Sequence, residues 1–276
     1  MSDDILKIDI DALLQSRLPR HYRFIPRWAI KWLKRTIHED VINNVLATGH
    51  GLEGVDFAEH VLNYLNVNVG IEGMEHLQPG KRYIFVANHP LGGLDGIALI
   101  SHVGRHYNSN IRFMVNDLLM AIKPLKSLFL PINKHGRQSR DAAKLITQQY
   151  SSDNQMLTFP AGLCSRLQDD GTVADLKWNK HAIVHAIHDQ RDVVPVYVDA
   201  VNSRFFYLLA KWRKRLGIKF NIEMLYLPDE MFKKRNSTFK IYIGEPIAWQ
   251  SLDAARPLDE AARLRNIVYK LIKHPL

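Results

Sequence analysis

The sequence predicts an α/β protein: a single mostly parallel sheet with helices on both faces, preceded by an N-terminal basic amphipathic helix. Three observations lead there. Short β-branched and aromatic runs alternate with longer segments of helical period. Several of those runs are apolar at nearly every residue, the pattern of strands covered on both faces. A tryptophan-bearing segment with apolar residues at three- and four-residue steps comes before them all.

That leading segment runs from Pro26, a good helix-starting residue, to about Leu46. Trp28, Trp32, Leu33, Ile37, Val41 and Val45 form its apolar stripe, and Arg27, Lys31, Lys34, Arg35 and His38 fill much of the rest. Such a helix either lies in a lipid interface or packs its stripe on the protein's own core; two tryptophans flanked by cations favour the interface. Gly49-His50-Gly51-Leu52-Glu53-Gly54 matches Gly-x-Gly-x-x-Gly, but a helix and not a strand precedes it. The glycines therefore read as a helix stop and a turn, not a dinucleotide site. Strands are expected over Asn68–Ile71, Tyr83–Ala87, Ile111–Val115, Leu128–Ile132, Gln155–Phe159, Val193–Val198, Phe220–Leu227 and Phe239–Ile243. Helices are expected over Asp56–Leu65, Gly96–His106, Arg137–Tyr150, Asn179–Asp189 and Leu258–Lys273. The last two strands follow one another and suit an antiparallel edge. No repeat or linker divides the pattern, so the reading is a helical, membrane-associating segment over 1–54 and an α/β domain over 55–276.

Composition narrows the partners. Lys and Arg number 37 against 28 Asp and Glu, a formal charge of +9, which suits an anionic membrane surface or an acidic protein. Nucleic acid is not expected, because no interleaved aromatic–basic groove or known motif accompanies the charge. The single Cys164 excludes an intrachain disulfide and fits a reducing compartment. Residues 1–16 lack the apolar core of a secretory signal, and no apolar run reaches the ~18–20 residues that span a bilayer. A peripheral position on the cytoplasmic face of a membrane is the expectation.

The chemistry concentrates at strand exits. Tyr83–Ala87 breaks into Asn88-His89-Pro90-Leu91-Gly92-Gly93-Leu94-Asp95 before a small-residue segment that can open a helix. A His and an Asp on such a turn are the parts of a base and its orienter: the carboxylate fixes the tautomer, and the other ring nitrogen takes a proton from a hydroxyl. Glycines let backbone approach a substrate closely. Leu128–Ile132 runs into Asn133-Lys134-His135-Gly136-Arg137, and Leu157-Thr158-Phe159-Pro160 into Ala161-Gly162-Leu163-Cys164-Ser165-Arg166. Ligands of open α/β sheets sit at the carboxyl ends of strands. If these exits converge, His89 faces cations at Lys134, Arg137 and Arg166. Cys164 reads as a small buried hydrophobe and not a nucleophile. His181, His185 and His188 share a helix face but lack the Glu of His-Glu-x-x-His, so no metal is expected. Phe205–Arg215, aromatic and then basic, is either a second interface contact or a core helix with a cationic end.

Taken in order, Asn88–Asp95, Leu130-Pro131-Ile132-Asn133-Lys134-His135-Gly136-Arg137, Phe159–Arg166 and Val194-Pro195-Val196-Tyr197-Val198 resemble the four blocks of the glycerolipid acyltransferase superfamily, typified by 1-acylglycerol-3-phosphate acyltransferase. The resemblance covers roughly residues 80–200. It implies an α/β enzyme of membrane lipid biosynthesis, needing no cofactor, that moves a fatty acyl group from acyl carrier protein or coenzyme A to a lysolipid hydroxyl. His89 falls at the general base and Asp95 at its partner. Asn88, Gly92, Gly93, Lys134, Arg137, Pro160, Gly162, Ser165 and Arg166 fall where substrate is bound, the cations on the acceptor head group. Three departures stand out: five residues separate His from Asp where the family usually has four, Lys134 replaces an Arg, and Ala161 replaces a Glu. The glycine-rich variant resembles bacterial acyltransferases that esterify lyso forms of amino-acid-containing lipids, with lysophosphatidic acid the other acceptor. The competing expectation is a non-catalytic lipid- or acidic-protein-binding module on the same fold.

Overall fold

The computed structural model of the chain describes residues 7–132 and 140–272. In chain order the helices are α1 (Ile10–Arg17), α2 (Arg27–Ile37), α3 (Glu39–Thr48), α4 (Gly54–Leu65), α5 (Leu94–His106), α6 (Arg140–Ser151), α7 (His181–His188), α8 (Arg204–Arg215), α9 (Leu227–Lys233) and α10 (Pro257–Lys270). The strands are β1 (Asn68–Glu72), β2 (Tyr83–Ala87), β3 (Ile111–Asn116), β4 (Phe129–Ile132), β5 (Gln155–Thr158), β6 (Arg166–Leu167), β7 (Val173–Ala174), β8 (Asp192–Asp199) and β9 (Thr238–Ile243). Seven strands form the sheet in the order β1-β9-β8-β2-β5-β3-β4, and β6 and β7 make a small separate hairpin.

β2 lies mid-sheet, parallel to both β5 and β8, and all five of its residues are buried. The two-residue period sends Tyr83, Phe85 and Ala87 into one apolar core with α4 and α5. Ile84 and Val86 enter the opposite core, with side chains of α6, α7 and α10. Helices therefore cover both faces, as expected for a sheet whose central strands are apolar throughout. β9 pairs antiparallel with β8 and parallel with β1, which makes the sheet mostly parallel. Val45 and Leu46 of α3 enter the first core, so the amino-terminal helices pack against the sheet's own covering layer.

Two expectations are corrected. The helix expected over residues 26–46 is two helices, broken at His38, which adopts the left-handed conformation at φ 58°. Its imidazole Nε2 lies 2.7 Å from Asp229 Oδ1, tying the break to α9. The strand expected over Phe220–Leu227 is instead a 3₁₀ turn, Ile222–Tyr226, leading into α9. Pro228 followed by Asp229 and Glu230 in the first turn are helix-start signals. Glu223, fully buried between Arg166 and Arg213, then directs the turn at α8 and the β6–β7 hairpin. Of the two strands expected there only β9 forms; it runs antiparallel to β8 and is flanked by β1, which makes the edge. Gly49 does end α3, as the turn reading of the glycine-rich stretch predicts.

Candidate active site

β2, β5 and β8 are parallel neighbours, so their carboxyl ends open side by side. Asn88, the first residue past β2, spends its amide on structure: Nδ2 donates to Val198 O at 3.0 Å, and Oδ1 accepts from Val198 N at 2.7 Å. Asn88 therefore clamps β2 to β8 and does not offer its side chain to a substrate. His89 follows, and the chain reverses through Gly92 at φ +75°. That conformation favours glycine, and a Cβ there would sit 2.5 Å from Leu227 Cδ2 and push that side chain aside. Gly93 caps α5, which carries Asp95 on its first turn.

The His89 and Asp95 side chains meet, with Nδ1 2.9 Å from Asp95 Oδ2. Asp95 is fully buried and also accepts N–H bonds from Leu91 at 2.9 Å, Gly92 at 3.2 Å and Gly96 at 2.9 Å. Burial pushes its carboxyl up, but the His89 charge, the His89 hydrogen bond and the backbone donors outweigh that and hold it below the usual carboxylate range. An ionised carboxylate only accepts, so the shared proton belongs to Nδ1, and the Nε2 lone pair is not used on Asp95. The extra residue between His and Asp is absorbed in the glycine turn, whose freed N–H groups wrap the carboxylate. Those of Leu91 and Gly92 are thereby used on Asp95. The Phe159 ring stacks on His89 at a centroid distance of 3.8 Å and 18° between planes, fixing the imidazole from one face.

The third block is less exposed than the sequence suggests. Pro160 is buried, with its carbonyl accepting from Asn179 N at 3.0 Å. Gly162, at φ +66°, makes the turn between β5 and Ser165 and donates its N–H to Phe159 O at 2.9 Å. Ser165 is 1% exposed and donates from Oγ to Asp175 Oδ1 at 2.6 Å. Arg166 is 9% exposed; it donates to Cys164 O at 2.6 Å and to Glu223 Oε1 at 2.9 Å. Their expected substrate roles are corrected on physical grounds: Ser165 and Arg166 are consumed by buried partners and brace the site from behind. Lys134 and Arg137 lie outside the described residues. Cys164 is closed off, with its thiol donating to Pro90 O at 3.1 Å and pushed well up by burial. His185 and His188 both hold Asp189, at 3.0 and 3.1 Å.

Sequence reasoning missed Phe159 as a shelf for the His89 ring, and it missed Asp175. The signal for Asp175 was Trp178 three residues on: a buried indole needs an acceptor for its N–H, and Asp175 Oδ2 supplies it at 2.8 Å.

Comparison with known proteins shows the family. Residues 12–274 match the family described as Acyltransferase. A lyso-glycine lipid O-acyltransferase from Bacteroides thetaiotaomicron is 47% identical over 273 residues, covering 98% of this chain and all of that protein. A protein of the same name from Phocaeicola vulgatus is 46% identical over 273 residues, 98% of each chain. Among solved structures, the 1-acyl-sn-glycerophosphate acyltransferase PlsC from Thermotoga maritima shares the fold, with a TM-score of 0.51 at 16% identity over 97% of this chain and 96% of that one. The chain belongs to the acyltransferase family and is an acyltransferase.

Proposed function

We propose that the protein is a lysolipid O-acyltransferase working at a membrane surface, with His89 as general base and Asp95 as its orienter. His89 Nε2 takes the proton of the acceptor hydroxyl while that oxygen attacks the carbonyl carbon of an acyl thioester carried by acyl carrier protein or coenzyme A. The C–O bond forms, the C–S bond breaks, and the imidazolium returns its proton to the leaving thiolate. Asp95 keeps Nδ1 protonated and stabilises the transient imidazolium, the logic of hydrolytic triads. The observation that carries the reading is the 2.9 Å contact between Nδ1 and a fully buried carboxylate. No described residue bonds to Nε2.

The proposed acceptor is a lyso-glycine lipid, the substrate named for both relatives. The test is to incubate the purified protein with acyl carrier protein or coenzyme A thioesters and a panel of lysolipids, reading products by mass. A mass gain of one acyl chain on the lyso-glycine lipid is expected; consumption of lysophosphatidic acid alone would reject the acceptor.

The membrane reading rests on surface chemistry, with residues 1–54 as the associating segment and 55–276 as the acyltransferase domain. None of the described helices is long and apolar enough to cross a bilayer. Phe24, Trp28 and Trp32 are exposed at 69%, 72% and 41% beside Arg23, Arg27 and Lys31. Tyr226 joins this face to α8, packing at 6.1 Å from Trp32 and 5.1 Å from Phe205. Exposed aromatics ringed by cations suit the interface of an anionic membrane, and the free Cys164 suits its cytoplasmic side. Co-sedimentation with vesicles containing anionic lipid is expected for the wild type and should weaken severalfold in Trp28→Ala. Equal binding by the two proteins would remove α2 from the contact.

A further inference from the structure

We infer that Asp175 is a positioning residue for the base, the centre of a buried node that fixes the main chain of His89; the inference rests on the acyl-transfer reading above. The β6–β7 hairpin pairs Arg166 with Ala174, so the residues just outside it, Ser165 and Asp175, stand side by side at its open end. Asp175 Oδ1 accepts the His89 main-chain N–H at 3.1 Å and the Ser165 hydroxyl at 2.6 Å. Ser165 N–H in turn donates to His89 O at 2.8 Å. Both main-chain polar groups of His89 are therefore held by this pair, while Asp95 and Phe159 hold its ring.

The node is itself anchored. Asp175 N–H donates to Tyr269 Oη at 2.7 Å, and Arg265 Nη2 donates to Asp175 O at 2.7 Å, both partners lying on α10. Oδ2 takes the Trp178 indole N–H. Three donors converge on the side chain and no acceptor does, which is the requirement an ionised carboxylate meets and an amide does not. At 1% exposure, with both oxygens occupied, Asp175 has no path to a substrate and acts through His89. A base displaced by about 1 Å can lose on the order of 10²-fold in rate, so an anchor on its backbone has kinetic weight.

Asp175→Asn keeps the shape but sets an NH₂ against one of the converging donors. It is expected to lower kcat roughly 10- to 100-fold while KM for the acyl thioester and for the lysolipid stays within about twofold. A folded Asp175→Asn protein with wild-type kcat and only a lowered Tm would overturn the inference, as would an acceptor KM that rises while kcat holds. Should Asp175→Asn fail to fold, Ser165→Ala removes one donor from the same oxygen; a drop in kcat of roughly fivefold at unchanged KM is expected, and undiminished kcat would overturn it. Absence of transfer by the wild type would instead sink the reading beneath, and this inference with it. A wild type that transfers beside an equally active Asp175→Asn sinks this inference alone.

Discussion

Replacing His89 with alanine is expected to cut acyl transfer at least a hundredfold, within the ~10²–10⁴-fold range for a general base. The effect should fall on kcat, because in the proposed mechanism the imidazole acts on the hydroxyl proton in the transition state and contributes little to holding either substrate. Folding should survive. The His89 side chain is 15% exposed, and Asp95 keeps its three backbone N–H donors after the ring is removed. Near-normal turnover by a folded His89→Ala protein would remove the mechanism.

The largest expected effect on stability lies at the other end of the sheet. Arg191 is fully buried ahead of β8, with its guanidinium donating to the carbonyls of Tyr150 at 2.6 Å, Asn154 at 2.7 Å, Tyr83 at 3.4 Å and Ser152. Burial pulls it down to about 10, so it remains charged at neutral pH. No described carboxylate bonds to it; carbonyl dipoles from β2's first residue, α6 and the turn before β5 take that place. Arg191→Met fills the volume but leaves those carbonyls unmatched, at about 1–3 kcal/mol for each one left dry. A loss of about 3–5 kcal/mol is expected, a large share of the ~5–15 kcal/mol that holds a typical domain. In a melt this is a drop in Tm on the order of 10 °C. Turnover per folded molecule well below the transition should be nearly unchanged, because His89 and Asp95 sit at the opposite strand ends. An unshifted Tm would mean that water replaces the guanidinium.

How much of this was legible follows from the range of the interactions. Tyr83–Ala87 was readable to the residue because a strand buried on both faces is written as an unbroken apolar run. The same rule misread Phe220–Leu227, where apolar residues line a turn and a short helix. What decides that segment is Glu223 pairing with Arg166, 57 residues away. That pair also explains why Arg166 looked like a cation awaiting a head group: sequence shows a charge but not its buried counter-ion. The break at His38 was hidden for a different reason. The residue is not glycine, and its left-handed conformation accompanies a contact with Asp229, 191 residues on. His89 and Asp95 were readable because both lie on one turn. Asp175 was not, because its bond to His89 spans 86 residues and depends on where a hairpin folds back.

The central claim is that His89 and Asp95 act as a single catalytic unit, and a double-mutant cycle measures this directly. Asp95→Asn alone should lose roughly 10²–10⁴-fold through the wrong tautomer, as an orienting Asp does in a triad. If the pair works as one device, His89→Ala with Asp95→Asn should transfer acyl groups no more slowly than His89→Ala by itself, since an orienter has nothing left to orient. Losses that multiply in the double variant would show two independent contributions and contradict the base–orienter account.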